Sequence, residues 1–164
     1  MTDRVEELLT VWRAELPEAL VRGSELSKRV MVLSGLLGEA TRATVTRFDL
    51  TGADFDVLAS LRRSGKPYRL KANELSRSLL LSTGGTSNVV NRLVSRGLVE
   101  REPVQTDGRS TYVRLTPSGA SLAEEVVIAN SKAHDEVLSA IPAELLDNAT
   151  AALRALAEHL PKHA

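Results

Sequence analysis

Apolar residues recur at helical spacing through most of the chain and alternate only in one short stretch. Residues 3–16 place Val5, Leu8, Leu9 and Trp12 on one side of a helix that Pro17 closes. The period returns over more turns in residues 25–48, through Leu26, Val30, Leu33, Leu37, Ala40, Thr44 and Phe48, until Leu50-Thr51-Gly52 breaks it. Residues 53–63 turn Phe55, Leu58 and Leu61 inward and stop at Ser64-Gly65-Lys66-Pro67. Tyr68-Arg69-Leu70 reads as a brief extended piece, and residues 72–80 as a short helix with Leu75 and Leu79 inward.

Alternation then takes over. Residues 98–103 and 111–115 read as the two strands of a hairpin, and the loop 104–110 contains an Asp107-Gly108 turn signal. Thr116-Pro117 is a cap followed by proline at the first helical position, and it opens a long helix to about Ile141. Pro142 separates that helix from a last amphipathic one with Leu145, Leu146, Leu153, Leu156 and Leu160. No internal repeat or low-complexity stretch is evident. The order helix, strand, helix, helix, strand, turn, strand in the middle of the chain is that of a winged helix-turn-helix. The fold expected is mainly α with a small β-hairpin wing.

In this order the helix over 83–96 would be the recognition helix. Ser82 can cap it, Thr86, Val90 and Leu93 share one face, and Gly97 ends it with Leu98 folding back on the last turn. It opens on Thr83-Gly84-Gly85, and the face opposite Val90 carries Gly84, Ser87, Asn88, Asn91, Arg92 and Ser95. Glycine lets a backbone approach closely, and free amides at a helix start favour a phosphate. Asparagine can pair with adenine, arginine with guanine or phosphate, and small hydroxyls with either. These are side chains for a groove, where lysine or glutamate would give charge without discrimination. A nucleotide-binding turn is a poor alternative for Thr-Gly-Gly-Thr. No Gly-Lys-Ser/Thr pattern follows, and the segment before it is helical.

Charge sharpens the picture. Net charge is zero, yet residues 62–114 hold eleven basic and four acidic residues, a net +7, and the remainder carries −7. A basic middle on an acidic frame is a candidate phosphate-binding surface. Arg109 at the hairpin tip can enter a narrow minor groove, with Asp107 to steady it. The DNA-binding candidates are therefore Thr83, Gly84, Thr86, Ser87, Asn88, Asn91 and Arg92 on the helix, with Asp107 and Arg109 on the wing.

Other functions are less well supplied. The chain lacks cysteine, which excludes disulfides, thiolate metal sites and cysteine redox chemistry. No apolar run reaches spanning length and no signal-peptide layout opens the chain, so a cytoplasmic protein without a membrane partner is expected. His134, His159 and His163 lie in or after the C-terminal helices with no candidate nucleophile near them in sequence. His159 and His163 are spaced like a metal pair, but Pro161 intervenes and a third ligand is not evident. No enzyme, metal or cofactor is expected. The alternative to DNA binding is a winged-helix module that docks on protein, which would want an apolar outward face on 84–95.

Asp107-x-Arg109, then Val113-x-Leu115-Thr116-x-x-Gly119, resembles the wing and post-wing signature of the MarR transcriptional regulators. Arg96-Gly97-Leu98-Val99-Glu100-Arg101 fits the same pattern, and the likeness is dense from about 50 to 120. The resemblance implies a single MarR-type domain over 1–164, with a winged helix-turn-helix lobe at 51–116. It assigns 1–50 and 117–164 to helices that interlock in a homodimer, so that two lobes read a palindromic operator in double-stranded DNA. Such regulators usually repress, and small anionic or aromatic effectors release many of them.

Trp12 in an extra N-terminal helix, 54-DFDVLASLRR-63, 67-PYRL-70 and 81-LSTGGTSN-88 further resemble the urate-responsive branch. That branch holds its effector with a tryptophan, an aspartate and two arginines. The resemblance puts Trp12, Asp56 and Arg101 at three of those positions and Val89 where the second arginine usually stands. Where the branch has an acidic residue shortly after, this chain has Asn91. The helix over 72–80 also departs from the family, starting at Lys71-Ala72-Asn73-Glu74 in place of a Ser-Pro cap.

Overall fold

The computed structural model describes residues 3–79, 83–104 and 107–160, with backbone alone for 83, 104 and 107–110. Helix α1 (Arg4–Glu15) starts at Asp3, whose carboxylate accepts from the Val5 and Glu6 amides at 3.0 and 3.3 Å. One 3₁₀ turn, Pro17–Ala19, leads towards α2 (Ser24–Arg47), against which α1 packs. Helix α3 (Gly52–Arg63) has a capping box: Thr51 Oγ1 accepts from the Asp54 amide, and Asp54 accepts from the Thr51 amide. Strand β1 (Arg69–Lys71) and the helices α4 (Ala72–Leu79) and α5 (Thr83–Ser95) follow. The proposed Ser82 cap lies outside the described residues.

Strands β2 (Val99–Val104) and β3 (Asp107–Leu115) form the hairpin, and β1 joins it to make an antiparallel sheet in the order β1-β3-β2. Tyr112, Val113 and Arg114 of β3 are paired on both sides, Val113 opposite Leu70 on one and Arg101 on the other. The hairpin is longer than the sequence suggests. Asp107 pairs with Val104 inside the ladder, so the connection expected over 104–110 is shorter. Pro103 has no amide to donate, and the register shifts between Pro103 and Val104. Helix α6 (Pro117–Leu138) ends before Ile141 and Pro142, and α7 (Ala143–His159) closes the described chain.

One apolar core joins these pieces. Val57, Leu58 and Leu61 of α3 meet Leu75 of α4, Val90 and Leu93 of α5, Val99 and Val113 of the sheet, and Ala123 and Val126 of α6. At the end of α5, Gly97 adopts φ +68° and the Leu98 amide donates back to the Leu93 carbonyl, which buries Leu98 as expected. Helix α6 is clamped onto this turn. Thr116 caps α6 by accepting from the Gly119 amide, and the Thr116 and Ser118 hydroxyls both donate to the Gly97 carbonyl. Gly119 sits so close that a Cβ there would stand 1.8 Å from the Leu98 oxygen.

Candidate nucleic-acid interface

Helix α5 owes its orientation to its own apolar stripe. Val89, Val90 and Leu93 are buried in the core, and Thr86 goes in with them at 3 % exposure. Gly84, Asn88, Asn91 and Ser95 face outward, and Ser87 is half-buried at the boundary. Of the helix candidates, Gly84, Ser87, Asn88 and Asn91 thus form an open polar strip. Thr86 lies beneath it, a consequence of the face it shares with Val90. The side chain of Thr83 is outside the described residues, as are those of Asp107 and Arg109 on β3.

Arg92 has a different occupation. Its Nε and Nη2 donate to Asp54 Oδ1 at 3.0 and 2.7 Å, and Nη2 also reaches Thr51 Oγ1 at 3.1 Å. Asp54 is 1 % exposed. Burial pushes its carboxyl up, but the Arg92 hydrogen bonds and charge and the Thr51 amide and hydroxyl outweigh it, and the group lies below its ordinary range. Arg92 therefore ties α5 to the start of α3. Thr-x-x-Asp at 51–54 has the spacing of a capping box, whereas the arginine 38 residues away that completes it leaves no local signal.

Much of the basic block is similarly engaged. Arg62 pairs with Glu124 and stacks over Tyr68, Arg69 pairs with Glu102 and stacks over Tyr112, Arg96 holds Asp49, and Arg114 holds Glu100 and Glu102. Lys66, Lys71 and Arg77 have no acidic partner among the described residues. The excess charge in the sequence is thus partly spent on cross-links within the lobe, which leaves Lys66 and Lys71 ahead of α4 and Arg77 on it.

Arg101 lies on β2 beside α5. Its Nη2 donates to Asn91 Oδ1 at 2.9 Å and sits 3.5 Å from Ser87 Oγ. It also lines a cavity of about 150 Å³ with Leu75, Ser76, Thr86, Ser87, Val90 and Val113, directly behind the outward strip. Asp56 lines another cavity, about 540 Å³, with Phe55, Arg63, Ser78, Leu79 and Val127. Burial raises the Asp56 carboxyl and the Arg63 charge lowers it, for a net upward shift. Trp12 is 39 % exposed on α1, and Val89 belongs to the core. Within the protomer these four residues are not brought into one pocket. His134 bonds Thr41 between α6 and α2 at 2.8 Å, His159 ends α7, and His163 lies outside the described residues. Among the described residues no group of three metal-ligating side chains occurs.

The MarR family profile matches residues 48–110. The chain is 28 % identical to the HTH-type transcriptional regulator PecS of Dickeya dadantii over 97 % of its own length and 93 % of that protein's. It is 34 % identical to the multiple antibiotic resistance protein MarR of Escherichia coli over 70 % of this chain and 72 % of the relative. A crystal structure of an E. coli MarR variant complexed with operator DNA superposes with a TM-score of 0.69 at 25 % identity, covering 92 % of this chain and 98 % of that one. A MarR family protein from Bacillus stearothermophilus gives 0.73 at 26 % identity, over 85 % and 95 %.

Proposed function

The chain belongs to the MarR family of transcriptional regulators, and we propose that it is a sequence-specific, homodimeric DNA-binding repressor released by a small anionic or aromatic effector. The observation that carries the reading is the outward strip of α5. Gly84, Ser87, Asn88 and Asn91 are small, uncharged and polar, stand on a helix held rigidly from behind, and lie beside a helix start that can take a phosphate. An apolar docking face, which a protein-binding module would need, is missing from these described positions. DNA as partner makes the protein cytoplasmic; no described helix is long and apolar enough to cross a membrane.

The dimer reading rests on helices that cannot hold themselves. Helix α7 buries no residue, yet Leu145, Leu153 and Leu156 recur along it. An isolated helix of its length is marginal in water, so its apolar stripe needs a partner. Leu8 and Trp12 of α1 and Val30, Leu33 and Leu36 of α2 leave a further uncovered apolar face. A second copy covers both.

For the effector, the cavity behind α5 is the better-supported site. About 150 Å³ accommodates one aromatic ring, and Arg101 offers the only guanidinium among its lining residues. The urate-like cradle of Trp12, Asp56 and Arg101 would have to be assembled by movement or by the second copy, with Val89 supplying no charge. A monoanion asks less of it than a dianion.

Fluorescence anisotropy with duplexes from the region upstream of its own coding sequence tests the reading. One dimer should bind each palindrome, and benzoate should lower occupancy. A folded dimer that ignores these duplexes at every concentration overturns the reading.

A further inference from the structure

We infer that Arg101 fixes the polarity of Asn91, so that α5 offers the groove a hydrogen-bond donor at that position and prefers guanine there over adenine. The inference rests on the DNA-reading role proposed for α5. Its observation is the 2.9 Å bond from Arg101 Nη2 to Asn91 Oδ1. A guanidinium has donors and no acceptor, so the amide must turn its carbonyl to it. Rotating the amide by half a turn would set NH₂ against NH₂. Asn91 Nδ2 therefore points away from Arg101, on an exposed residue, with no hydrogen bond to the described residues.

Position explains why Arg101 does this. Side chains alternate along β2, so Glu100 and Glu102 project from the face opposite Arg101 and are taken by Arg114 and Arg69. On its own face Arg101 sits across from Val113 of the central strand β3, and its reach ends at α5. With no carboxylate there among the described residues, the guanidinium settles on Asn91, with Ser87 Oγ as a longer second contact.

The consequence is a change in the base that asparagine reads. Bidentate recognition of adenine needs Oδ1 to accept from N6 while Nδ2 donates to N7. With one lone pair of Oδ1 taken by Arg101 and the carbonyl turned towards β2, the adenine amino group meets a weakened and poorly aimed acceptor. Guanine presents two acceptors, O6 and N7, and nothing that needs one. Arg101 touches no base in this scheme and is a positioning residue.

Selection from a randomised duplex library gives the operator. The base pair whose preference Asn91→Ala erases is then varied through all four bases, and affinities are measured. The wild type should favour guanine over adenine by at least about fivefold, the low end for one well-made base contact. Arg101→Met keeps the stem and removes the donors, and should shift the preference to adenine. Asn91→Asp presents acceptors only, and should favour a base with an amino group, cytosine or adenine. Adenine preferred by the wild type, or guanine retained in both variants, overturns the inference and leaves the DNA-binding role intact. So does an Asn91→Ala variant whose preferences match the wild type at every position. If Arg101→Met fails to fold, Asn91→Asp decides. Absence of any wild-type binding removes the proposed function as well.

Discussion

Replacing Asp54 by alanine removes the acceptor for both the Thr51 amide and Arg92, and the size of the loss can be worked from the contacts. Loss of the reciprocal cap costs about 1 kcal/mol. The two Arg92 hydrogen bonds, at 3.0 and 2.7 Å, are charge-assisted and to a carboxylate 1 % exposed. Each such bond contributes roughly 1.5–3 kcal/mol when shielded. The Arg92 side chain is 45 % exposed, however, and rehydrates once released, which trims the total. We expect Asp54→Ala to cost about 3 kcal/mol in urea unfolding at fixed protomer concentration. Arg92→Ala should cost nearly as much, because it strands a buried carboxylate. In the double-mutant cycle the coupling should reach about 1.5 kcal/mol. The same cycle reads DNA affinity. If Arg92 acts by anchoring α5, either single change weakens binding and the double change is no worse. Coupling below about 0.5 kcal/mol, or Asp54→Ala tightening DNA binding while Arg92→Ala weakens it, would refute the anchor and make Arg92 a DNA ligand.

Gly119→Ala should destabilise by about 1–3 kcal/mol, since the new Cβ meets the Leu98 backbone and not a flexible side chain; an unchanged urea midpoint contradicts this. Gly97→Ala, at φ +68°, should cost about 1–2 kcal/mol from the left-handed backbone alone, measured the same way. The two aspartates of α3 should respond to acid in opposite senses. Asp54 titrates low in the fold, so its stabilisation is complete above the usual carboxylate range and is lost as pH falls through its folded value; the gap between wild type and Asp54→Asn should hold from pH ~5 to ~8 and close in acid. Asp56 titrates high, so the fold loses stability as pH rises through its folded value, and Asp56→Asn should stabilise at neutral pH but not in acid, as thermal unfolding at both would reveal.

The elements were readable because the apolar spacing of each helix belongs to that helix alone. Thr116-Pro117 and Gly97-Leu98 marked ends that the fold uses as expected. The wing was misjudged in length because Asp-Gly is a turn signal wherever it stands, whereas the ladder is set by the partner strand and by the register shift at Pro103. At the site, the outward placement of Asn88 and Asn91 was legible from the helical period. The tie from Arg92 to Asp54 and the grip of Arg101 on Asn91 were not, since they span 38 and 10 residues and depend on how α3, α5 and β2 pack. Net charge over 62–114 overstated the available cations for the same reason: a sum along the chain cannot register Arg62 meeting Glu124 or Arg96 meeting Asp49.

The salt dependence of operator affinity tests whether the paired lobes bind DNA through its phosphates. Two lobes contacting phosphates through α4, the start of α5 and the wing should release several counterions, giving a log–log slope steeper than about −3 together with a marked preference over an unrelated duplex. A slope near zero, or equal affinity for both duplexes by a folded dimer, would mean that the lobes are not a sequence-reading DNA surface.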